Sequence, residues 1–283
     1  LPGSCCLHTE GDCSLGAQSA EHGLGGLWNA CARGLRDPLL VPPALLCASP
    51  RLRRRPGPLR RYLLLRRAGA GDPVTVLPNG ITVEDWHLER PGPQERRPHR
   101  PVTVVASLRW VERKRPLQVV RAFAQAVRST PGTDAILKIY GDGPLRERLT
   151  REVAESGLAD RIELVGRVER TELAQAFTRA DIYLQTSPAE SFGISTLEAR
   201  SAGLAVVAMR SSGVRDFITD GVDGLLADDD ADLGRELASL LGDDELLERI
   251  KTHNYENVPL PEWGTVVQMH VDTYRRAIAL VGA

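Results

Sequence analysis

The sequence predicts an α/β protein built on an open, Rossmann-like parallel sheet with helices on both faces. Three observations carry that expectation. From residue 102 onward, short apolar runs alternate with amphipathic stretches of about ten to fifteen residues, the pattern of βαβ crossovers. The first of those runs, Val102-Thr103-Val104-Val105-Ala106, is apolar with almost no alternation, as strands covered on both faces are. The 283 residues are 42% hydrophobic and 26% charged, enough for a sizeable core, and no apolar run is long enough to cross a bilayer.

Taken in order, Val74-Thr75-Val76-Leu77 reads as a short strand stopped by the turn Pro78-Asn79-Gly80. Arg90 to Arg100 is rich in Pro and Arg and reads as a surface loop. After the strand over 102–106, a helix begins at Pro116, with Val119, Val120, Phe123 and Val127 at three-to-four spacing and Pro131-Gly132 as its stop. The run 135–140 is the next strand, and Gly141-Asp142-Gly143-Pro144 turns into a helix through Leu145 and Leu149. A strand over 162–165, a helix over 171–177 and a strand over 181–184 follow. The loop from Thr186 to Phe192 leads to a helix ending at Gly203, then a strand over 204–208. A short helix near 214–218, a strand over 224–227, helices over 231–242 and 244–252, and an amphipathic helix over 263–280 complete the pattern.

The first 72 residues read differently. Residues 1–72 show no sustained helical or strand periodicity and are expected to be an irregular, disordered or truncated region, with 73–283 as the folded domain. Residues 1–70 hold ten Arg against four acids, a net of +6, which leaves 71–283 at −7 within a whole-chain charge of −1. The arginines at 51–67 carry no interleaved aromatic ladder, so a nucleic-acid partner is not expected. All five cysteines lie within the first 47 residues, without CxxC spacing. The domain itself therefore has neither disulfide nor thiolate metal site, which suits a cytoplasmic protein.

Open parallel sheets bind ligands beyond the carboxyl ends of their strands, here the loops after Ala106, Tyr140, Val165 and Leu184. The first holds Arg109 and Lys114, two permanent cations five residues apart that can grip a diphosphate or simply be solvated. The glycines of Gly141-Asp142-Gly143 suit a tight turn or a close backbone approach to a ligand. In the fourth loop, free amides of a helix starting near Gly193 offer an anion site. Glu190 and Glu198 flank it. A carboxylate beside a phosphate is repelled, so each needs another partner, and sugar or ribose hydroxyls could supply one. On spacing alone, Glu190 as a helix cap and Glu198 as a solvated position are the favoured explanation, since two glutamates eight residues apart are common by chance.

Five blocks in order resemble one family. They are Val76-Leu77-Pro78-Asn79-Gly80-Ile81, Arg109 with Lys114, Tyr140-Gly141-Asp142-Gly143-Pro144, Val165-Gly166-Arg167-Val168, and Glu190-x7-Glu198 enclosing Ser191-Phe192-Gly193-Ile194; Gly203 and Gly221-Val222-Asp223-Gly224 extend the match. Residues 74–280 thus resemble the C-terminal donor-binding domain of the retaining family-4, or group 1, glycosyltransferases of the GT-B fold. The resemblance implies a nucleotide diphosphate sugar as donor substrate, an acceptor of unspecified class, no metal and no further cofactor. It implies that Arg109 and Lys114 bind the diphosphate and steady its charge as it leaves, and that Glu190 contacts the transferred sugar; these three would be the catalytic set. It implies further donor contacts from Gly141, Phe192, the backbone of Gly193, Ile194 and Ser195, Glu198 to the ribose, and Val168 beside the base. Such enzymes have a first domain that binds the acceptor, and no βα pattern for it precedes Pro78. A peripheral membrane or partner-chain contact is therefore also implied. So are two alternatives, a catalytically incomplete nucleotide-sugar-binding remnant or a sugar-nucleotide epimerase of the same fold. The last helix in this family crosses back onto the first domain, so Trp263, Val267, Val271 and Tyr274 are expected to form an exposed apolar stripe.

Overall fold

The computed structural model describes residues 77–89, 100–258 and 262–281. Six strands are present among them: β1 (Val102–Ser107), β2 (Ala135–Tyr140), β3 (Ile162–Gly166), β4 (Ile182–Gln185), β5 (Ala205–Met209) and β6 (Gly224–Ala227). They form one sheet in the order β3-β2-β1-β4-β5-β6, and every neighbouring pair is parallel. The helices are α1 (Pro116–Ser129), α2 (Arg146–Glu155), α3 (Arg170–Thr178), α4 (Ile194–Ser201), α5 (Asp230–Gly242), α6 (Asp244–Glu256) and α7 (Trp263–Val281).

Alternate residues of the strands feed two cores. Val104, Ala106, Leu137, Ile139, Ile182 and Val207 face one way and pack with α1, α2, α5 and α6. Val105, Tyr140 and Tyr183 face the other way, where Phe177 of α3, Leu197 of α4, Ile81 and Trp86 meet them. Phe123 and Phe177 are fully buried on opposite faces, and each such side chain contributes roughly 1.5–3 kcal/mol of transfer free energy. Burial on both faces explains why the strands read as unbroken apolar runs.

Several expectations need correction. The helix near 214–218 is a single 3-10 turn, Gly213–Asp216, opened by the Ser212 hydroxyl accepting from the Val214 amide. The Asp223 carboxylate takes the Thr219 amide at 2.7 Å, which ends any continuation. Leu77 belongs to no strand; Pro78 has no amide to donate, and pairing begins only at Ile81, which bridges Glu262. Arg100, the one described residue of the expected surface loop, is exposed and outside any element, and its guanidinium forks onto Asp181 at 2.7 and 2.6 Å. The strand residues at 74–76, the loop at 90–99, the cysteines, the arginine cluster and the rest of region 1–72 lie outside the described residues. On α7, Trp263, Val267 and Tyr274 are exposed as expected, joined by Ile278, whereas Val271 is half-buried.

Candidate functional site

The strand order reverses between β1 and β4, and the position between the loops that leave their carboxyl ends is the crevice at which open parallel sheets bind ligands. The loop after β1 is held from one side by the turn after β2. The Leu108 amide donates to Tyr140 O (3.1 Å), the Trp110 amide to Asp142 O (2.9 Å) and the Leu145 amide to Trp110 O (3.1 Å). A Cβ on Gly141, whose φ is +124°, would stand 1.9 Å from the Leu108 carbonyl oxygen, and one on Gly143 2.5 Å from that of Trp110. These two glycines admit the neighbouring protein loop. Gly141 thus underpins the floor of the crevice.

From the other side, the same loop is clamped by the loop after β4. The Ser187 hydroxyl donates to Arg113 O (2.9 Å) and the Thr186 hydroxyl to Arg115 O (3.1 Å). Arg115 has a left-handed backbone, φ 58° and ψ 51°, which costs a non-glycine residue about 1 kcal/mol or more. Its guanidinium reaches back to Thr186 O at 3.3 Å and pairs with Asp230. Lys114, between two tethered neighbours, points its ammonium at Glu190 and forms an ion pair across the crevice. The Arg109 side chain is exposed and has no partner among the described residues.

The Glu190 carboxylate also accepts the Ser191 amide at 3.1 Å. It does not cap α4, whose N-cap is Gly193 with φ 94° and no side-chain hydrogen bond. A Cβ on Gly193 would come 2.7 Å from Val214 Cγ2. No described acceptor meets the Ile194 and Ser195 amides, so the helix start keeps these donors free. Phe192 packs on Phe217 at 5.2 Å between ring centroids, and Ile194 is 44% exposed.

Glu198, one turn into α4, is 5% exposed and is therefore not the solvated position that its spacing allowed. Burial raises its carboxyl from 4.5 to about 7, opposed by Arg170 and assisted by Asp85. Arg170 lies 3.4 Å away and stacks over Trp86 at 4.9 Å from the ring centroid. Tyr183 lies beneath, its phenol donating to Ser107 O at 3.1 Å and kept neutral by burial, with the Ser195 hydroxyl beside it. Val168 is half-buried in the loop after β3, against the core that holds Trp86 and Tyr183.

Lys114, Glu190 and the start of α4 therefore converge, while Glu198 faces a second cluster, across Tyr183 from Glu190. The arrangement offers an anion cradle beside a buried carboxylate that awaits hydroxyl donors. The pattern did not single out Arg170, Asp85, Trp86, Tyr183 or Arg115. A Trp and an Arg 84 positions apart in the chain carry no spacing signal. Thr186 and Ser187 did lie inside the highlighted loop, and hydroxyls flanking a binding turn were the available hint. Among the described residues, no cluster of three or more His, Cys, Asp or Glu side chains could hold a metal ion. No described helix is long and apolar enough to cross a membrane.

Comparison with known proteins bears on this geometry. The family model for glycosyl transferases group 1 matches residues 92–257. The D-inositol 3-phosphate glycosyltransferase of Nocardia farcinica is 30% identical over 173 residues, 58% of this chain and 38% of that protein. The GDP-mannose-dependent alpha-(1-6)-phosphatidylinositol monomannoside mannosyltransferase of Mycolicibacterium smegmatis is 33% identical over 136 residues, 46% of this chain and 35% of that protein. The chain spans less than two fifths of the length of either relative. Among solved structures, sucrose-phosphate synthase from Thermosynechococcus elongatus superposes with a TM-score of 0.63 at 24% identity, covering 78% of this chain and 57% of that one. Anabaena HepE in complex with UDP and glucose superposes with a TM-score of 0.60 at 20% identity, covering 74% and 59%. At these identities the structures share the fold.

Proposed function

The chain belongs to the group 1 glycosyl transferases, and on that premise we propose that its crevice between the loops after β1 and β4 binds a nucleoside diphosphate sugar and hands the sugar to an acceptor. The observation that carries this reading is the meeting of Lys114, Glu190 and the uncapped start of α4 where the strand order reverses. The diphosphate takes the Lys114 ammonium and the free Ile194 and Ser195 amides. Arg109, exposed and without a partner among the described residues, closes on it from solvent. Charge then grows on the leaving oxygen beside donors already in place, and a single donor of this kind is worth about 10²–10³ in rate. With two cations and a helix start neutralising it, the step needs no metal.

Glu190 turns from Lys114 to the hydroxyls of the sugar once the diphosphate occupies the ammonium. Glu198 takes the ribose hydroxyls. The acceptor oxygen bonds to the anomeric carbon, the anomeric bond to the diphosphate breaks, and the acceptor proton leaves with the departing phosphate. Retention of configuration follows the retaining enzymes that the motif order resembles.

Calorimetric titration of the 283-residue protein with UDP-glucose, UDP-N-acetylglucosamine and GDP-mannose tests this reading. Binding of at least one donor is expected, weakened about ten- to a hundredfold by Lys114→Ala and less by Arg109→Ala. Absence of binding for all three, by protein that melts cooperatively, contradicts it.

A further inference from the structure

Glu198 is an unusual carboxylate for its depth. Its side chain is 7% exposed, yet among the described residues no amide, hydroxyl or ring nitrogen donates a hydrogen bond to it. Its single ionic partner is Arg170, at 3.4 Å, which is contact between charges without the two-pronged fork that guanidinium and carboxylate form when free to align. A buried carboxylate so poorly solvated by protein stays ionised only through what charge stands nearby.

That charge is held in place by something other than Glu198. The Arg170 guanidinium carbon lies 4.9 Å from the centroid of the Trp86 ring. Trp86 itself is fully buried and wedged against Phe177, 5.5 Å between centroids. Stacking on a fixed ring fixes the guanidinium plane, and its edge is shared between Glu198 and Asp85, the latter at 3.8 Å. The remaining face is open, since the Arg170 side chain is 56% exposed.

We propose that Arg170 is a positioning residue of the nucleotide site, whose Trp86-stacked guanidinium keeps the Glu198 carboxylate available as the acceptor for the ribose hydroxyls. The claim rests on the donor-site reading of Glu198 given above. The groups bearing on that carboxylate are Arg170 from α3, Asp85 from the 3-10 turn Val83–Asp85, and from β4 the phenol of Tyr183, which burial keeps neutral, with Glu190 beyond it. Burial lifts the carboxyl most, Arg170 pulls it back toward ionisation and Asp85 pushes it further toward protonation, leaving it near neutrality at about 7. A protonated Glu198 keeps one accepting oxygen and turns the other into a donor, so the charge-assisted bonds from the ribose hydroxyls are weakened and one is lost.

Two substitutions must then act in opposite directions. Arg170→Met raises the pH at which donor binding is half lost, and Asp85→Asn lowers it. The measurement is calorimetric titration of the full chain between pH 6 and pH 9 with UDP-glucose, UDP-N-acetylglucosamine and GDP-mannose. These probes lack the phosphate monoester that titrates near pH 6. In the wild type, affinity falls about tenfold from pH 8 to pH 6, as a group of pKa about 7 requires. In Arg170→Met the loss begins at least a unit higher, so affinity at pH 7 falls about fivefold or more below the wild type and recovers by pH 9. Arg170→Lys restores much of the wild-type profile.

Wild-type profiles in both Arg170→Met and Asp85→Asn overturn the role given to Arg170 while leaving Glu198 in the site. Glu198→Gln separates the two ideas: weak, pH-independent binding upholds Glu198 as the acceptor, whereas unchanged affinity removes it and Arg170 with it. Failure of the wild type to bind any of the three probes removes the donor site altogether.

Discussion

The two edges of the sheet each bury an acid, and the protein treats them in opposite ways. At the amino edge, Asp181 precedes β4 and its side chain is 5% exposed. It takes a forked Arg100, the buried Lys251 ammonium at 2.7 Å and the Thr103 amide at 2.9 Å. Although burial alone would raise it, these partners hold its carboxyl below the ordinary value of 3.8. At the carboxyl edge, Glu198 is buried to much the same depth with one loosely aligned partner, and its carboxyl is raised to about 7. Depth therefore does not distinguish an acid that protein donors hold ionised from one that the proposed function leaves for a ligand. What distinguishes them is whether protein donors already fill the oxygens.

The largest expected effect tests the amino edge. Lys251→Met leaves Asp181 with one cation fewer in a buried setting and should cost about 3 kcal/mol of stability, read as a lower denaturant midpoint. Nucleotide affinity of the folded fraction should stay unchanged. A large affinity change would show that the two edges are not independent.

Next in size, Lys114→Ala should slow transfer about 10²–10³-fold with a melting temperature within a few degrees of wild type. The comparison fails at the carboxyl edge if activity survives. Glu198→Gln comes third and should move two readouts in opposite directions. Because the Glu198 carboxyl is raised from 4.5 to about 7, ionising it withdraws stability as pH climbs through that window. The amide variant should therefore be more stable than wild type at pH 8 by roughly 1–3 kcal/mol and show a flatter stability profile between pH 5 and pH 7, while binding donor more weakly. Asp181 predicts the reverse slope: its contribution is present above about pH 4 and lost as pH falls below it. Thermal melts across pH 3 to pH 8 would show both slopes or remove the distinction.

The smallest effect concerns the clamp on Lys114. Arg115→Gly keeps the left-handed backbone at lower cost and should retain most activity, whereas Arg115→Val, hostile to φ 58°, should lose about tenfold in kcat/KM for the donor. Equal activity in the two variants would mean that the turn does not orient the ammonium.

Much of this architecture was legible because periodicity reports burial. Unbroken runs such as Val102 to Ala106 marked strands covered on both sides, and the stops at Pro131-Gly132 and Gly203 bounded their helices. The loops at the carboxyl ends of the strands were legible too, since they follow from where a parallel sheet ends. Side-chain partnerships were not. Glu190 and Glu198 look alike in the chain, yet one meets Lys114 and the other is nearly closed off from solvent beside Arg170. Arg100 sat in a Pro- and Arg-rich stretch that reads as surface, but its partner lies 81 residues away. Spacing encodes faces of elements, whereas the pairing of charges across a fold depends on three-dimensional closure. Gly141 shows the same limit: its pattern suited a tight turn or an approach to a ligand, and only the folded chain identifies the Leu108 carbonyl as the close neighbour.

The central claim is that the carboxyl-edge crevice holds a nucleoside diphosphate sugar. A crystal structure of the protein soaked with UDP-glucose tests it most directly. The account predicts phosphate oxygens within hydrogen-bond reach of Lys114 Nζ and the Ser195 amide, with the ribose hydroxyls on Glu198. Nucleotide density elsewhere, for example in the groove lined by Ile136, Tyr140 and Gln175, with Lys114 still paired to Glu190, would contradict it.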